Sequence, residues 1–222
     1  MWPAVEKEST EKNTVGFGIL SDVDIKELLK NNQINITMYG DEELVFSEEQ
    51  IQIGSIDLHF QRDYRRISVC NGETLTYERL KQHSYTESYT LKGRERLRIE
   101  PGEIILTSTM EIVQLNSSIA GIITGRSSIA RLGVMVHCGQ EYINPGHGST
   151  IPLQLVNLSP CPVELDLEIP ICQLVLMGLN TPASVPYVEK AHAKYAFEKS
   201  VEESGIAKEI KSLSTTAMTV LI

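Results

Sequence analysis

Gly125-Arg126-Ser127-Ser128-Ile129-Ala130-Arg131-Leu132-Gly133-Val134-Met135-Val136-His137, followed shortly by Tyr142-Ile143-Asn144-Pro145-Gly146, is the most informative stretch of this chain. Two arginines stand five residues apart and bracket two adjacent serines. A guanidinium presents a planar fork of donors that matches phosphate oxygens, and serine hydroxyls add short donors beside it. Read as a helical turn, residues 126–131 form a cationic, donor-rich edge suited to a polyphosphate. The same spacing suits a surface helix with two solvated arginines, and spacing alone leaves both readings open.

The wider wording, GRSSIARLGVMVH…YINPG, resembles the GRSS-(L/I)-A-R-LG…H…IDPG signature of the dCTP deaminases, in the dUTPase-like superfamily. Ile19-Leu20-Ser21-Asp22-Val23-Asp24-Ile25 resembles that family's ILSDxDI. Ile51-Gln52-Ile53-Gly54-Ser55-Ile56-Asp57-Leu58 resembles its IQPASVDL. Pro186-Tyr187 and Ala193-Lys194-Tyr195 resemble its C-terminal PY…AKY. The resemblance implies an all-β subunit, a distorted jelly roll or β-barrel of the dUTPase-like type. It implies a homotrimer whose nucleotide sites are shared between subunits and closed by C-terminal arms. It also implies hydrolytic deamination at cytosine C4, converting dCTP to dUTP with release of ammonia, in pyrimidine deoxynucleotide metabolism. Magnesium is expected to accompany the triphosphate, with no metal ligand from the protein. The residues so implied in nucleotide binding are Arg126, Ser127, Ser128, Arg131, Gln140, Asn144, His147, Tyr187, Lys194, Tyr195 and Glu198. Those implied in catalysis are Ser127, Arg131 and position 154.

Three of these positions depart from the family pattern. The family's glutamate, which handles protons in deamination, lies ten residues after the aspartate of IDPG; here that count runs from Asn144 to Gln154. An amide has no proton to exchange near neutrality and cannot serve as a general base, a role typically worth about 10²–10⁴ in rate. The aspartate that contacts the sugar is Asn144, and the glutamine that helps hold the triphosphate is Glu198. A carboxylate beside phosphates is repulsive unless a cation or proton intervenes. The phosphate-facing half of the site therefore reads as present and the proton-handling half as disabled. Glu141, an odd number of residues from Asn144, is expected to face away from it in an extended segment. His147 could titrate near neutrality or stack on a ligand, and His137 reads as a satisfied structural histidine. Three functions stay open: a deaminase, alone or combined with dUTPase activity; a depleted paralogue acting as a nucleotide sensor or assembly protein; and an enzyme for another nucleotide.

Composition narrows the field further. The 222 residues suit one domain, and 41% hydrophobic with 22% charged residues fits a globular chain. A net charge of −9 argues against nucleic acid or an anionic membrane as partner, although a local cationic pocket can still take a phosphorylated small molecule. No run of about 18 apolar residues and no secretory leader is read. Cys70, Cys138, Cys161 and Cys172 show no CxxC pairing, so the expectation is a cytoplasmic protein with reduced thiols and no zinc. The zinc-deaminase motifs, H-x-E with P-C-x-x-C, are absent, so any deamination would need no metal-activated water.

Along the chain, residues 1–18 read as a flexible extension, 19–180 as the β domain and 181–222 as a C-terminal arm. Ser21 or Asp22 is expected to cap a helix over residues 22–31. Strands are expected at 44–46, 54–60 (half-buried), 104–109, 120–124, 150–157, 163–167 and 171–177, with a charged hairpin or insert over 61–100. Pro152 removes a ladder donor and predicts an irregularity in its strand. The apolar end at residues 217–222 reads as packed on its own or a neighbouring subunit.

Overall fold

Short alternating runs separated by Gly and Pro turns give fourteen strands and three short helices among the described residues. The strands are β1 (Gly18–Ile19), β2 (Ile34–Met38), β3 (Ile51–Gln52), β4 (Ser55–Leu58), β5 (Asp63–Ile67), β6 (Thr86–Thr90), β7 (Leu97–Ile99), β8 (Ile104–Leu115), β9 (Ile119–Gly125), β10 (Val134–Val136), β11 (Tyr142–Ile143), β12 (Gly148–Asn157), β13 (Val163–Leu165) and β14 (Cys172–Gly178). The helices are α1 (Asp22–Lys30), α2 (Tyr77–Leu80) and α3 (Ser127–Ala130). The structure is a computed structural model that describes residues 18–40, 45–68, 74–80, 82–190, 193 and 200–206.

The strands pair antiparallel into two larger sheets. One runs β11-β9-β14-β4-β3 with β1 also on β14; the other runs β10-β12-β8-β5-β6 with β2 also on β8; β13 and β7 form a separate pair. Both larger sheets turn apolar side chains into one core. Ile56, Leu58, Ile123, Leu174 and Leu176 come from the first sheet and Ile105, Val113, Leu153 and Leu155 from the second, all fully buried. Each such side chain contributes about 1.5–3 kcal/mol relative to exposure. The all-β reading thus holds, with helices confined to connections.

Several expectations can be checked strand by strand. α1 starts where predicted: Ser21 accepts a hydrogen bond from Asp24 N while the Asp24 carboxylate accepts from Ser21 N, a capping box. The register between β12 and β8 shifts between Thr150 and Pro152, the irregularity expected from a proline without an N–H. The 61–100 stretch contains the β5–β6 hairpin, with α2 in its connection. Two expectations fail. Val45 and Phe46 form no strand, and the Ser47 hydroxyl instead caps a 3₁₀ turn at Glu48–Gln50. β4 is buried at every residue rather than alternating, because it lies between β14 and β3 inside its sheet. Its polar members are satisfied there: Gln173 Nε2 donates to Ser55 Oγ at 3.1 Å and to Asp57 Oδ1 at 3.2 Å. The apolar end at 217–222 and the extension at 1–17 lie outside the described residues.

Candidate functional site

β10 lies along β12 with Val136 opposite Leu155, and His137 N then donates to the Gln154 carbonyl at 2.8 Å. This pairing brings the end of the arginine–serine stretch onto the strand that carries position 154. Along β12, Ile151, Leu153 and Leu155 point into the core, so Pro152 and Gln154, alternating with them, are only half-buried. Beside them opens a cavity of about 250 Å³. Five of the residues singled out in the sequence line it: Gln140, Asn144, His147, Gln154 and Tyr187. His137, Tyr85, Tyr142 and residues 201–204 complete much of the wall. Glu141 is not part of that lining, although Ile143, of the same parity, is. No Lys or Arg among the described residues lines the cavity, whereas Glu202 and Glu203 do.

The cationic half stands elsewhere. Ser127 and Ser128 open α3, and they and Arg131 at its C-cap are exposed. Arg126 is tied down from two sides. Its Nη2 lies 3.2 Å from Asp57 Oδ2 and its Nη1 donates to the Pro170 carbonyl at 2.9 Å. Asp57 is buried, so removal of either partner would leave an uncompensated charge. Within one protomer, therefore, the α3 donors do not join the Gln154 cavity. Lys194, Tyr195 and Glu198 lie outside the described residues.

Both histidines of the cavity differ from their sequence readings. His147 is 8% exposed, and burial holds its pKa down to about 4 against hydrogen bonds to the Ser149 and Thr150 backbone. It therefore stays neutral at pH 7 rather than titrating there. Its Nε2 donates to the Ser149 carbonyl at 3.1 Å, and its ring stacks on Tyr187 at 6.3 Å with 24° between planes. His137 is buried as well, and burial lowers its pKa despite the Glu141 charge and a Gln140 backbone hydrogen bond. It is not the satisfied structural histidine expected: its Nδ1 has no hydrogen-bond partner and its φ is 65°. A positive φ at a residue other than glycine is uncommon and costs of order 1–3 kcal/mol.

The turn between Asn144 and His147 depends on Gly146, whose φ is +76°. A Cβ there would lie 2.4 Å from Pro186 Cβ and 2.7 Å from Tyr187 N. Only glycine lets the 186–188 segment close on this turn, with Tyr187 N donating to Pro145 O at 2.9 Å and Val188 N to Gly146 O at 3.2 Å. Gly146→Ala is expected to lower stability by about 1–3 kcal/mol and to lift Tyr187 off His147. Chemical denaturation and the tyrosine near-ultraviolet signal check this; an unchanged midpoint and signal contradict it.

Residues 19–179 match the family model described as dCTP deaminase-like. The "dCTP deaminase, dUMP-forming" of Dictyoglomus turgidum is 32% identical over 181 residues, covering 82% of this chain and 91% of that protein. The dCTP deaminase of Natronomonas pharaonis is 32% identical over 190 residues, covering 85% and 94%. Among solved structures, the 2'-deoxycytidine 5'-triphosphate deaminase from Agrobacterium tumefaciens superposes with a TM-score of 0.53 at 17% identity, covering 73% of this chain. The match takes in about half of that protein, 48% of its length, and at this identity it is a likeness of fold.

Proposed function

The chain belongs to the dCTP deaminase-like family, and from that premise we propose that it binds a pyrimidine deoxynucleoside triphosphate at a site shared between the protomers of a homotrimer, without efficient deamination. The observation that carries this reading is the division of the site. A cavity with amide, imidazole and phenol groups, and no cation among the described residues, suits a base and sugar. A triphosphate needs cationic and hydroxyl donors, and the exposed Arg131, with Ser127 and Ser128 of α3, offers them on another part of the same protomer. A neighbouring copy that inserts its α3 at the mouth of this cavity would unite the two halves. Magnesium, when bound, would neutralise phosphate charge. It would ride on phosphate oxygens. The proposed setting is a cytosolic nucleotide pool; Cys138, Cys161 and Cys172 are all free thiols.

Deamination at C4 requires a base to take a proton from water and an acid to return one to the leaving amine. Gln154 does neither. His147 is neutral at pH 7 but buried, with its Nε2–H committed to Ser149. The favoured reading is therefore a nucleotide-binding member whose proton transfer is lost.

Thermal denaturation with dCTP and magnesium is the test. A ligand at 100 times its Kd adds about 2.7 kcal/mol, which for a chain of this size raises Tm by roughly 5–10 °C. Arg131→Ala and Asn144→Ala should each abolish the shift. Mixed and reassembled, the two variants should recover about a quarter of the sites, because each site draws on two copies. No shift with any pyrimidine deoxynucleoside triphosphate would end this reading.

A further inference from the structure

We propose that the Ser84–Thr86 turn, together with Arg65, is a carboxylate-recognition site that docks the chain's own segment 200–206 across the rim of the Gln154 cavity. The occupant is Glu203. Its Oε1 accepts from Tyr85 N at 3.1 Å, from Thr86 N at 2.9 Å and from Thr86 Oγ1 at 2.6 Å, and it is hydrogen-bonded to Ser84 Oγ. Arg65 Nη2 stands 3.6 Å away, while Arg65 Nε donates to Thr86 Oγ1 at 2.6 Å. Two successive backbone N–H groups, two hydroxyls and a guanidinium thus converge on one oxygen.

This arrangement differs from an ordinary surface ion pair. Such a pair is worth little because two long side chains must be ordered to make it. Here the backbone donors are fixed before the carboxylate arrives: Thr86 is the first residue of β6, opposite Ile67 of β5, and Ser68 N donates to Tyr85 O at 2.9 Å. Consecutive N–H groups aimed at one point form an anion nest, and their bonds to a charged acceptor are stronger than neutral ones. The guanidinium that faces the nest is itself held by Thr86. Burial would raise the Glu203 carboxyl, but these donors outweigh it and hold the group below the usual range.

Two further contacts flank Glu203, one on each side. Val201 is buried, and Ser204 N donates to the Tyr85 hydroxyl at 3.0 Å. Apolar anchor, carboxylate and backbone donor within four residues define what the site reads. They also define what docking does, because Val201, Glu202, Glu203 and Ser204 all line the cavity that holds Gln154. Docked, the segment narrows the cavity and adds two carboxylates to its wall. No part of this depends on what the cavity binds.

Hydrogen exchange of the full-length protein, without nucleotide, tests the proposal. Glu203→Ala should speed exchange of the amides of 201–206, and of Tyr85 and Thr86, by about tenfold or more, with the β8–β12 ladder unchanged. Thr86→Val, which keeps shape but removes a hydroxyl, should move the same amides in the same direction by a smaller factor. Equal exchange of residues 201–206 in the parent and in Glu203→Ala, whether uniformly fast or uniformly protected, would overturn it. Failure of nucleotide binding would leave this result standing, so the two readings fail separately.

Discussion

Gln154→Glu is expected to raise the rate of ammonia release from dCTP by about 10²–10⁴ over the parent protein, the usual worth of a positioned general base. The position is prepared for it. β12 holds residue 154 between two core-facing leucines, its carbonyl bound by His137 N, with the side chain on the cavity wall. A carboxyl there would be partly desolvated by Ile151, Pro152 and Leu106, which also line the cavity. Desolvation raises a carboxyl pKa, and a base poised nearer neutrality is the more effective catalyst. Gln154→Ala serves as the control: it removes the amide without supplying a base, and should leave the rate at the parent level. Ammonia release at high enzyme concentration, measured beside dCTP binding, decides the matter. A parent already as fast as Gln154→Glu would show that another group moves the proton. A Gln154→Glu protein that binds dCTP and stays inert would show that the scaffold has lost more than its base, with Asn144 the next position to restore.

Much of the fold was legible because its causes are local. The cap at Ser21, the break at Pro152 and the alternation of β12 are each written within a few residues, whereas 171–177, expected as a buried strand, is buried only at alternate positions in β14. β4 was misread because burial on both faces depends on neighbours that sequence spacing does not reveal: Gln173, 116 residues away from Asp57, satisfies the polar side chains that alternation assigned to solvent. The site was legible to the same extent. Motif order identified five residues of the cavity; parity did not sort its wall, since Ile143 lines it and Glu141 does not. His137 was misjudged because an unpaired Nδ1 and a positive φ follow from the path of the chain between β10 and β11. Residues 201–204 carried no signal, since a charged stretch reads the same whether solvated or docked. Residue spacing alone does not say whether α3 and the cavity meet within a chain or between chains; only the family resemblance bears on it.

Acidification from pH 7 to about 4.5 is expected to cost the protein roughly 2–3 kcal/mol through His147 alone, well before most carboxylates protonate. The sign follows from the depressed pKa. At pH 7 the imidazole is neutral in both folded and unfolded states, so it adds no pH dependence. As pH falls below the unfolded value of about 6.5, the unfolded chain takes up a proton that the folded protein refuses until about 4. Proton uptake then favours unfolding throughout that window, and the difference is exhausted below it. His137, also lowered by burial, adds loss of the same sign. Asp24, Asp166 and Glu203, whose pKa values are lowered too, keep their contributions above the carboxylate range and lose them only at lower pH. The windows are therefore separable. His147→Phe keeps a ring against Tyr187 and removes the titrating group together with its hydrogen bond to the Ser149 carbonyl, at a cost of about 0.5–1.5 kcal/mol at every pH. Urea denaturation at pH 7 and 4.5 should show a smaller acid loss in the variant, by that 2–3 kcal/mol, with the loss through His137 left in both proteins. Identical pH dependence in the two proteins would mean that His147 is solvated or charged, and that the wall of stacked His147 and Tyr187 beside Gln154 does not exist as described.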